Sequence, residues 1–252
     1  IYNVDYYIVG YFEDYKTLGY YWLAFQVSHY FLSAKTAINS VLFPTFSKVK
    51  LLKDKIFIFD KVMKITAVIY AIPVLVILLF GESITLFLYG EEWLPSVFPL
   101  QIFFVIVAVK AIGGNAGPFF YSIGKTKQDL TLAIINSVAL VITVSLGTYF
   151  FGIVGAALGV LISSGFNSFF GFVKYVSPVT KKSLFFYYGK ITILFSIVVI
   201  FIWVRNSLFD NNYFSVIVSL LVVGLIYWIV FKNDLGLLKG VLTKKIKLEK
   251  DV

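Results

Sequence analysis

The segment from residue 130 to residue 173 contains 44 consecutive residues without a charged side chain. A helix needs about 20 residues to cross the ~30 Å hydrocarbon core of a bilayer, so this segment is too long for one span. We predict two spans that separate at residues 147–152. Gly155, Gly159 and Ser163 would share one face of the second span and predict close helix packing. Open sheets cannot satisfy their backbone in lipid, and barrel strands are far shorter, so an all-α integral membrane fold is predicted.

The amino-acid composition indicates that lipid is the solvent of most of the chain. Hydrophobic residues make up 60% of it and charged residues 14%, whereas a soluble domain has about 45–50% and about 25%. The chain contains no cysteine, which excludes disulfide bonds and thiolate metal sites within it. It also has no nucleotide-binding loop, HExxH or GxSxG motif and no paired catalytic carboxylates. We therefore predict a protein that is not an enzyme and has no cofactor or bound metal.

Charged residues, glycines and prolines divide the chain into about eight apolar spans. Apart from the two halves of the 130–173 segment, the spans cover residues 1–12, 17–46, 62–80, 96–122, 187–204 and 213–231. The third is expected to end at Gly81, and glycine and proline interrupt the fourth between residues 113 and 118. As a helix the first would cover only ~18 Å, so we expect it to be the end of a longer span whose beginning is missing.

Lysine and arginine lie mainly in alternate loops of this arrangement. Six follow span two, two follow span four, four follow span six and six follow span eight, which accounts for 18 of the 22 basic residues. By the positive-inside rule these loops and the C-terminus are cytoplasmic, so we expect a multi-pass protein of the cytoplasmic membrane. The net charge of +9 then reflects topology and attraction to anionic lipids. Nucleic-acid binding is not expected, because the lysines are dispersed over separate loops.

Apart from the lysines at the basic ends of the spans, which are counted with the loops above, four charged or histidine side chains lie inside the predicted spans: Asp5, His29, Lys35 and Lys110. Such groups are expensive in hydrocarbon and indicate function by default. Lys35 precedes Lys48 by about 20 Å of helix, which is farther than a lysine side chain reaches. Lys110 has the same difficulty, because the next basic residue is Lys125. Both lysines are expected either to face a hydrated cavity or to form a buried ion pair, for example with Asp5, unless the span boundaries are misplaced.

Polar residues around both lysines favour the cavity. In span two they form two adjoining helical rows, Gln26, His29, Ser33, Thr36 and Ser40 in one and Ser28, Lys35 and Asn39 in the other. Lys110 shares a helix face with Gly114 and Gly117, where a ligand or another helix can approach closely. We therefore assign two substrate-binding cations and five polar cavity-lining residues: Lys35 and Lys110, and Gln26, His29, Ser33, Thr36 and Asn39. The alternative for His29 is a hydrogen-bonded packing residue.

Seven short motifs follow one another over about 175 residues: Asn3-x-Asp5-Tyr-Tyr-Ile-Val-Gly, Leu18-Gly-Tyr-Tyr-x-Leu-Ala24, Val41-Leu-Phe-Pro-Thr-Phe-Ser-Lys48, Phe80-Gly81, Tyr89-Gly-Glu-Glu-Trp93, Ser122-Ile-Gly-Lys125 and Gly152-x-x-Gly-Ala156. In order and spacing this set resembles the Wzx-type polysaccharide flippases of the MOP superfamily (multidrug, oligosaccharidyl-lipid and polysaccharide exporters).

The resemblance implies a transporter of fourteen helices, in two six-helix lobes and a terminal pair. Residues 1–176 would form the C-terminal lobe (helices 7–12, the first truncated), residues 177–231 helices 13 and 14, and residues 232–252 a basic cytoplasmic tail.

The resemblance also implies a function, the flipping of undecaprenyl-pyrophosphate-linked oligosaccharide across the cytoplasmic membrane for surface polysaccharide synthesis. Lys35 and Lys110 would pair with the phosphates, and Asp5 would bind a coupling proton or Na⁺ or only neutralise a lysine. The implied partners are the lipid-linked oligosaccharide, membrane lipids, the protein's own N-terminal lobe and a polysaccharide polymerase.

Three other functions stay open. A cation-coupled drug antiporter of the same superfamily favours an acidic cavity, whereas two buried lysines against one aspartate favour an anionic substrate. A membrane glycan polymerase or acyltransferase needs a large outer loop with catalytic side chains, and the longest predicted outer loop covers only residues 81–95. A structural subunit or scaffold without a substrate would have no need of charges inside the membrane.

Overall fold

The computed structural model describes residues 4–208 and 213–242, and all regular secondary structure within these ranges is helical. The α-helices are α1 (Val4–Phe12), α2 (Tyr15–Lys48), α3 (Leu52–Tyr89), α4 (Val97–Gly113), α5 (Ala116–Ser122), α6 (Thr126–Gly171), α7 (Ser177–Thr180), α8 (Leu184–Leu208) and α9 (Tyr213–Leu242). A 3₁₀ turn covers Glu91–Ser96, and a π-helical segment covers Phe172–Val176. The predicted all-α fold is confirmed.

Among residues 4–208 and 213–242, three segments are long and apolar enough to cross a membrane. They are Leu52–Tyr89, Glu91–Ser122 and Thr126–Thr180. The first consists of α3 alone, and the second combines the 3₁₀ turn with α4 and α5. In hydrocarbon a helix satisfies its own backbone hydrogen bonds, so long apolar helices are the structure expected of a chain in lipid. The chain is therefore an all-α membrane protein.

The third predicted span does not end at Gly81, and this boundary was wrong. Helix α3 continues through Gly81 to Tyr89 and ends at Gly90, whose φ of 90° suits glycine. Gly81 is buried, and a Cβ built on it would lie 3.6 Å from the Gln101 side chain of α4. Its small size therefore serves the packing of α3 on α4 rather than the end of a helix. The predicted outer loop is correspondingly shorter, since residues 82–89 are helical.

The 130–173 segment reverses direction where the sequence predicts a division. Helical geometry is broken at Phe151 and Gly152, the latter with φ 59° and ψ −146°. Gly147 meets Gly155, and Thr143 Oγ1 donates a 2.8 Å hydrogen bond to the carbonyl oxygen of Gly159. These pairs are symmetric about residue 151, so the two halves of α6 run antiparallel. The predicted pair of spans is confirmed, and backbone contact at glycine holds the two halves together.

Helices α8 and α9 pack on α3. Tyr227 donates a 3.1 Å hydrogen bond to the carbonyl oxygen of Val68, Lys182 forms an ion pair with Asp60, and Lys190 forms one with Asp234. Asp234 lies in the region predicted as a tail, yet α9 continues without a break past residue 231 to Leu242. The remaining tail residues, 243–252, lie outside the described part of the chain, as does Asn3 of the first motif.

Helix α4 occupies the centre of the bundle. It packs against α2, α3 and α6, while α1 packs mainly on α6. Phe103 and Phe104 of α4 are buried. Phe59 of α3 stacks on Phe119 of α5 with ring centroids 4.6 Å apart. Burying an aromatic side chain contributes about 1.5–3 kcal/mol. This aromatic packing fixes α4, and with it the position of Lys110.

The glycine contact inside α6 gives a testable prediction. A Cβ at position 159 would lie 2.5 Å from the Thr143 carbonyl oxygen, which is backbone and cannot move aside easily. Gly159→Ala should therefore destabilise the full-length protein by about 1–3 kcal/mol and lower its thermal unfolding midpoint. Gly165→Ala is the matched control in the same helix, because a Cβ there meets nothing within 4 Å. Equal unfolding midpoints for the two variants would contradict the proposed close approach.

Candidate functional site

A cavity of about 980 Å³ lies between α2, α4 and α6, and residues of α1 and α5 also line it. Ligand sites in proteins commonly occupy 300–1,000 Å³ and combine apolar walls with a few placed polar groups. This cavity has that character, since Phe25, Leu132 and Phe172 line it together with charged and amide side chains. Its size and lining make it the candidate site.

Lys110 is the cation of this cavity. Its side chain lines the cavity, is half-buried and has no hydrogen bond or ion pair within residues 4–208 and 213–242. Asp5 lines the same cavity and acts electrostatically on the Lys110 ammonium without contacting it as an ion pair. The Asp5 carboxylate is 4% exposed and accepts a 2.8 Å hydrogen bond from the Tyr21 hydroxyl. The Lys110 ammonium is thus available to an anionic ligand.

Lys35 occupies a different environment from Lys110. It is 5% exposed, lies outside the set of cavity-lining residues and donates hydrogen bonds to the side-chain oxygens of Asn115 and Asn39. Asn115, which is fully buried, in turn donates to Thr66 Oγ1 at 3.1 Å. This network joins α2 and α3 to the break between α4 and α5. Both lysines were predicted to be cavity cations, and the structure places only Lys110 in the cavity wall.

The break that Asn115 occupies begins immediately after Lys110. The backbone amide of Gly114 donates a 2.9 Å hydrogen bond to the Lys110 carbonyl oxygen, and the backbone amide of Asn115 donates one of 3.2 Å to the Ile112 carbonyl oxygen. Gly114 leaves room for Lys35, whose Cε would be 3.4 Å from a Cβ at position 114. The glycines predicted to interrupt this span therefore do so, and the Lys35–Asn115 contact fixes the geometry of the turn beside Lys110.

Some of the predicted polar residues of α2 line the cavity and some do not. Those that do are His29, Thr36 and Asn39, and those that do not are Gln26 and Ser33. The His29 ring stacks on Phe25 with centroids 5.5 Å apart. Ser33 Oγ and Thr36 Oγ1 each donate a 2.7 Å bond to a carbonyl three residues earlier in their own helix. The polar residues of α2 therefore offer fewer unused hydrogen-bonding groups to the cavity than the sequence of this helix suggests.

The acidic residue Asp129, in the first turn of α6, also lines the cavity and was not predicted. Its carboxylate accepts a 2.5 Å hydrogen bond from Tyr121, another lining residue. With Asp5, Asp129 and Lys110, the cavity has more acidic than basic side chains, and His29 adds a titratable group. The expected excess of lysine over aspartate is therefore not found in this cavity wall.

Sequence reasoning also missed the polar wall that α6 contributes. Asn136, Ser164 and Asn167 line the cavity, although all three lie in the segment without charges. Residues 164, 167 and 171 lie on one helix face, and so do residues 129, 133, 136 and 140. The sequence signal for this wall was an amide side chain within a long apolar segment. Such a side chain in hydrocarbon requires either a hydrogen-bond partner or a hydrated surface.

Known proteins match parts of this chain. Residues 1–98 match a family model described as polysaccharide biosynthesis protein. A Klebsiella pneumoniae protein described as an uncharacterized membrane protein in the cps region is 24% identical over 183 residues, which cover 68% of this chain and 38% of that protein. The lipopolysaccharide biosynthesis protein WzxC of Escherichia coli K12 is 21% identical over 147 residues, covering 58% of this chain and 30% of WzxC. No solved structure matches the chain.

These matches bear directly on the resemblance that the motifs indicate. The chain spans less than two fifths of the length of either relative. The matching family model covers the first three predicted spans and the loop after them, which hold five of the motifs in full. The family match and the similarity to WzxC and to a membrane protein of a cps region support the resemblance to the Wzx-type polysaccharide flippases.

Proposed function

We propose that the full-length protein moves a lipid-linked saccharide across the cytoplasmic membrane for the synthesis of a surface polysaccharide. The substrate class is undecaprenyl-pyrophosphate-linked oligosaccharide, carried from the inner to the outer leaflet. The observation that carries this proposal is a large cavity in a membrane bundle with an unpaired cation, amide side chains and apolar walls. The similarity to proteins of polysaccharide biosynthesis supports the same class of substrate.

The chemistry of the cavity suits a ligand with three kinds of surface. A diphosphate needs cations, and Lys110 supplies one that forms no ion pair with a carboxylate in the described part of the chain. Sugars need hydrogen-bonding groups, and the amides and hydroxyls of α2 and α6 provide them. The polyprenyl tail stays in the bilayer, so the cavity need not enclose it. Moving such a headgroup through hydrocarbon without these contacts would cost the desolvation of every charge and hydroxyl.

A cation-coupled drug antiporter is the second candidate. The observation in its favour is the pair of acidic side chains, Asp5 and Asp129, in the cavity wall. Acidic residues in a transporter cavity also serve as binding sites for a coupling proton or Na⁺. We propose that Asp5 binds the coupling ion, because its carboxylate is buried, accepts a hydrogen bond from Tyr21 and interacts electrostatically with Lys110.

The rest of the proposal concerns topology and partners. Residues 1–176 act as the C-terminal lobe of the transporter, residues 177–231 as its terminal helix pair, and residues 232–252 as a cytoplasmic tail. The cavity is completed by an N-terminal lobe of the full-length protein, and alternating access between the lobes exposes it to each leaflet in turn. A polysaccharide polymerase on the outer side of the membrane would receive the product.

Substitution of the two buried lysines should have separable effects in the full-length protein. Lys110→Gln removes the unpaired cation, so export per protein molecule should fall about ten- to hundredfold, the value of a hydrogen bond to a charged group. Lys35→Met leaves the buried Asn115 without its donor, so it should lower the unfolding midpoint and the amount of protein, by about 1–3 kcal/mol of stability. Surface polysaccharide, normalised to membrane-inserted protein, is the measurement.

The opposite pattern would contradict the assignment of the cation. If Lys110→Gln exported normally, the cavity cation would have no role in transport. If Lys35→Met lost export at normal abundance and stability, Lys35 rather than Lys110 would be the functional lysine.

Asp5 provides a test of ion coupling. Asp5→Asn keeps a group of the same size but removes the titratable charge, so export should lose its dependence on the proton or sodium gradient. Tyr21→Phe is the matched control, because it removes the hydrogen bond to Asp5 while retaining the carboxylate. Export in vesicles with imposed gradients is the measurement. Gradient dependence that persists in Asp5→Asn would exclude Asp5 from coupling.

The proposed orientation is testable by labelling single cysteines, since this chain has none of its own. In a full-length protein free of other cysteines, Glu92→Cys should react with a membrane-impermeant maleimide in intact cells. Lys125→Cys should react only after the cells are opened, because the positive-inside rule places it in the cytoplasm. Both positions are exposed in the structure. Labelling of Lys125→Cys in intact cells would reverse the topology.

A further inference from the structure

Within the described residues, the wall of the cavity formed by α6 carries three buried polar atoms without a hydrogen-bond partner. They are Oδ1 of Asn136, Oγ of Ser164 and Oδ1 of Asn167, all on residues that line the cavity. Ser164 is only 4% exposed. Leaving one buried polar atom without a hydrogen bond costs about 1–3 kcal/mol. Three such atoms on one cavity wall indicate a surface that is completed by a ligand rather than by the protein.

Neighbouring serines show that a missing hydrogen bond is not the rule for hydroxyl groups in this helix. Ser163 is fully buried and bonds to the carbonyl oxygen of Val160 at 3.0 Å. Ser137, which also lines the cavity, bonds to the carbonyl oxygen of Ala133 at 2.8 Å. A serine in a helix commonly satisfies itself in this way. Ser164, next to Ser163 in the same helix, does not, and its Oγ stays available to the cavity.

The chemistry of these three atoms discriminates between the parts of a lipid-linked saccharide. An amide oxygen accepts hydrogen bonds and carries no charge. A phosphate diester or diphosphate at neutral pH offers only acceptor oxygens, so it cannot bond to Asn136 Oδ1 or Asn167 Oδ1. A sugar hydroxyl both donates and accepts, and so it can satisfy an amide oxygen or the Ser164 hydroxyl. The two unbonded amide oxygens therefore suit sugar hydroxyls rather than phosphate, whereas the Ser164 hydroxyl can bond to either.

We propose that Asn136, Ser164 and Asn167 form a subsite that binds the hydroxyl groups of the transported saccharide. The subsite is separate from the cation Lys110, which lies on α4, and it rests on the proposed function of the protein. It gives the two helices different tasks. Helix α4 supplies charge for the pyrophosphate, and helix α6 supplies the uncharged contacts that distinguish a sugar-bearing lipid from the bare lipid carrier.

The test compares two ligands on the full-length protein reconstituted in nanodiscs. One is undecaprenyl pyrophosphate, and the other is the same lipid bearing the oligosaccharide of the producing cell. The measured quantity is the ratio of their two dissociation constants. Wild-type protein should bind the sugar-bearing lipid more tightly. Ser164→Ala, Asn136→Leu and Asn167→Leu should each reduce that preference about three- to tenfold, the value of one neutral hydrogen bond, and leave binding of the bare lipid unchanged.

Ser163→Ala is the matched control, because its hydroxyl bonds within the helix and lies outside the cavity lining. It should keep the wild-type ratio. An unchanged ratio in all three subsite variants, or the same change in Ser163→Ala, would overturn the subsite but leave the proposed function intact. Wild-type protein that binds both lipids equally would also overturn it. Wild-type protein that binds neither lipid would overturn the proposed function itself.

Discussion

A polar group surrounded by hydrocarbon has no water to bond with, and this constraint governs the arrangement of the whole bundle. Backbone groups meet it by forming helices throughout the described residues. Side chains meet it in two ways. One group, Lys35, Asn115 and Thr66, is hydrogen-bonded inside the protein. Another group, Lys110 and the amide side chains of α6, lines the cavity. Within the described residues, the cavity wall thus contains three of the buried polar atoms that have no hydrogen-bond partner, together with Lys110.

The constraint also explains how much of the fold could be predicted from the sequence. The reversal inside α6 followed from the length of an uncharged segment, because a bilayer limits the length of a span. The end of α3 could not be predicted in the same way. Gly81 and Gly90 are both compatible with a helix end, and only the contact of Gly81 with Gln101 distinguishes a packing glycine from a capping one. Contacts between helices are not encoded in hydropathy.

The candidate site was harder to predict for a related reason. Helical spacing predicted His29, Thr36 and Asn39 as cavity-lining residues and Lys110 as an intramembrane cation, and all four line the cavity. It could not separate Lys110 from Lys35, because the difference lies in Asn115, a partner 80 residues away from Lys35. The α6 wall was missed because Asn136 and Asn167 carry no charge. Uncharged amides reveal their importance only when the structure shows that no protein group bonds to them.

The two walls of the cavity differ in how firmly they are built. The α6 wall is one unit, since its antiparallel halves are joined by backbone contact at Gly147, Gly155 and Gly159. The wall with Lys110 ends at a helix break that depends on the hydrogen bonds of Asn115. The glycine contacts inside the α6 hairpin do not involve α4. The cation and the amide wall are thus positioned by different sets of contacts, although α4 and α6 pack against each other.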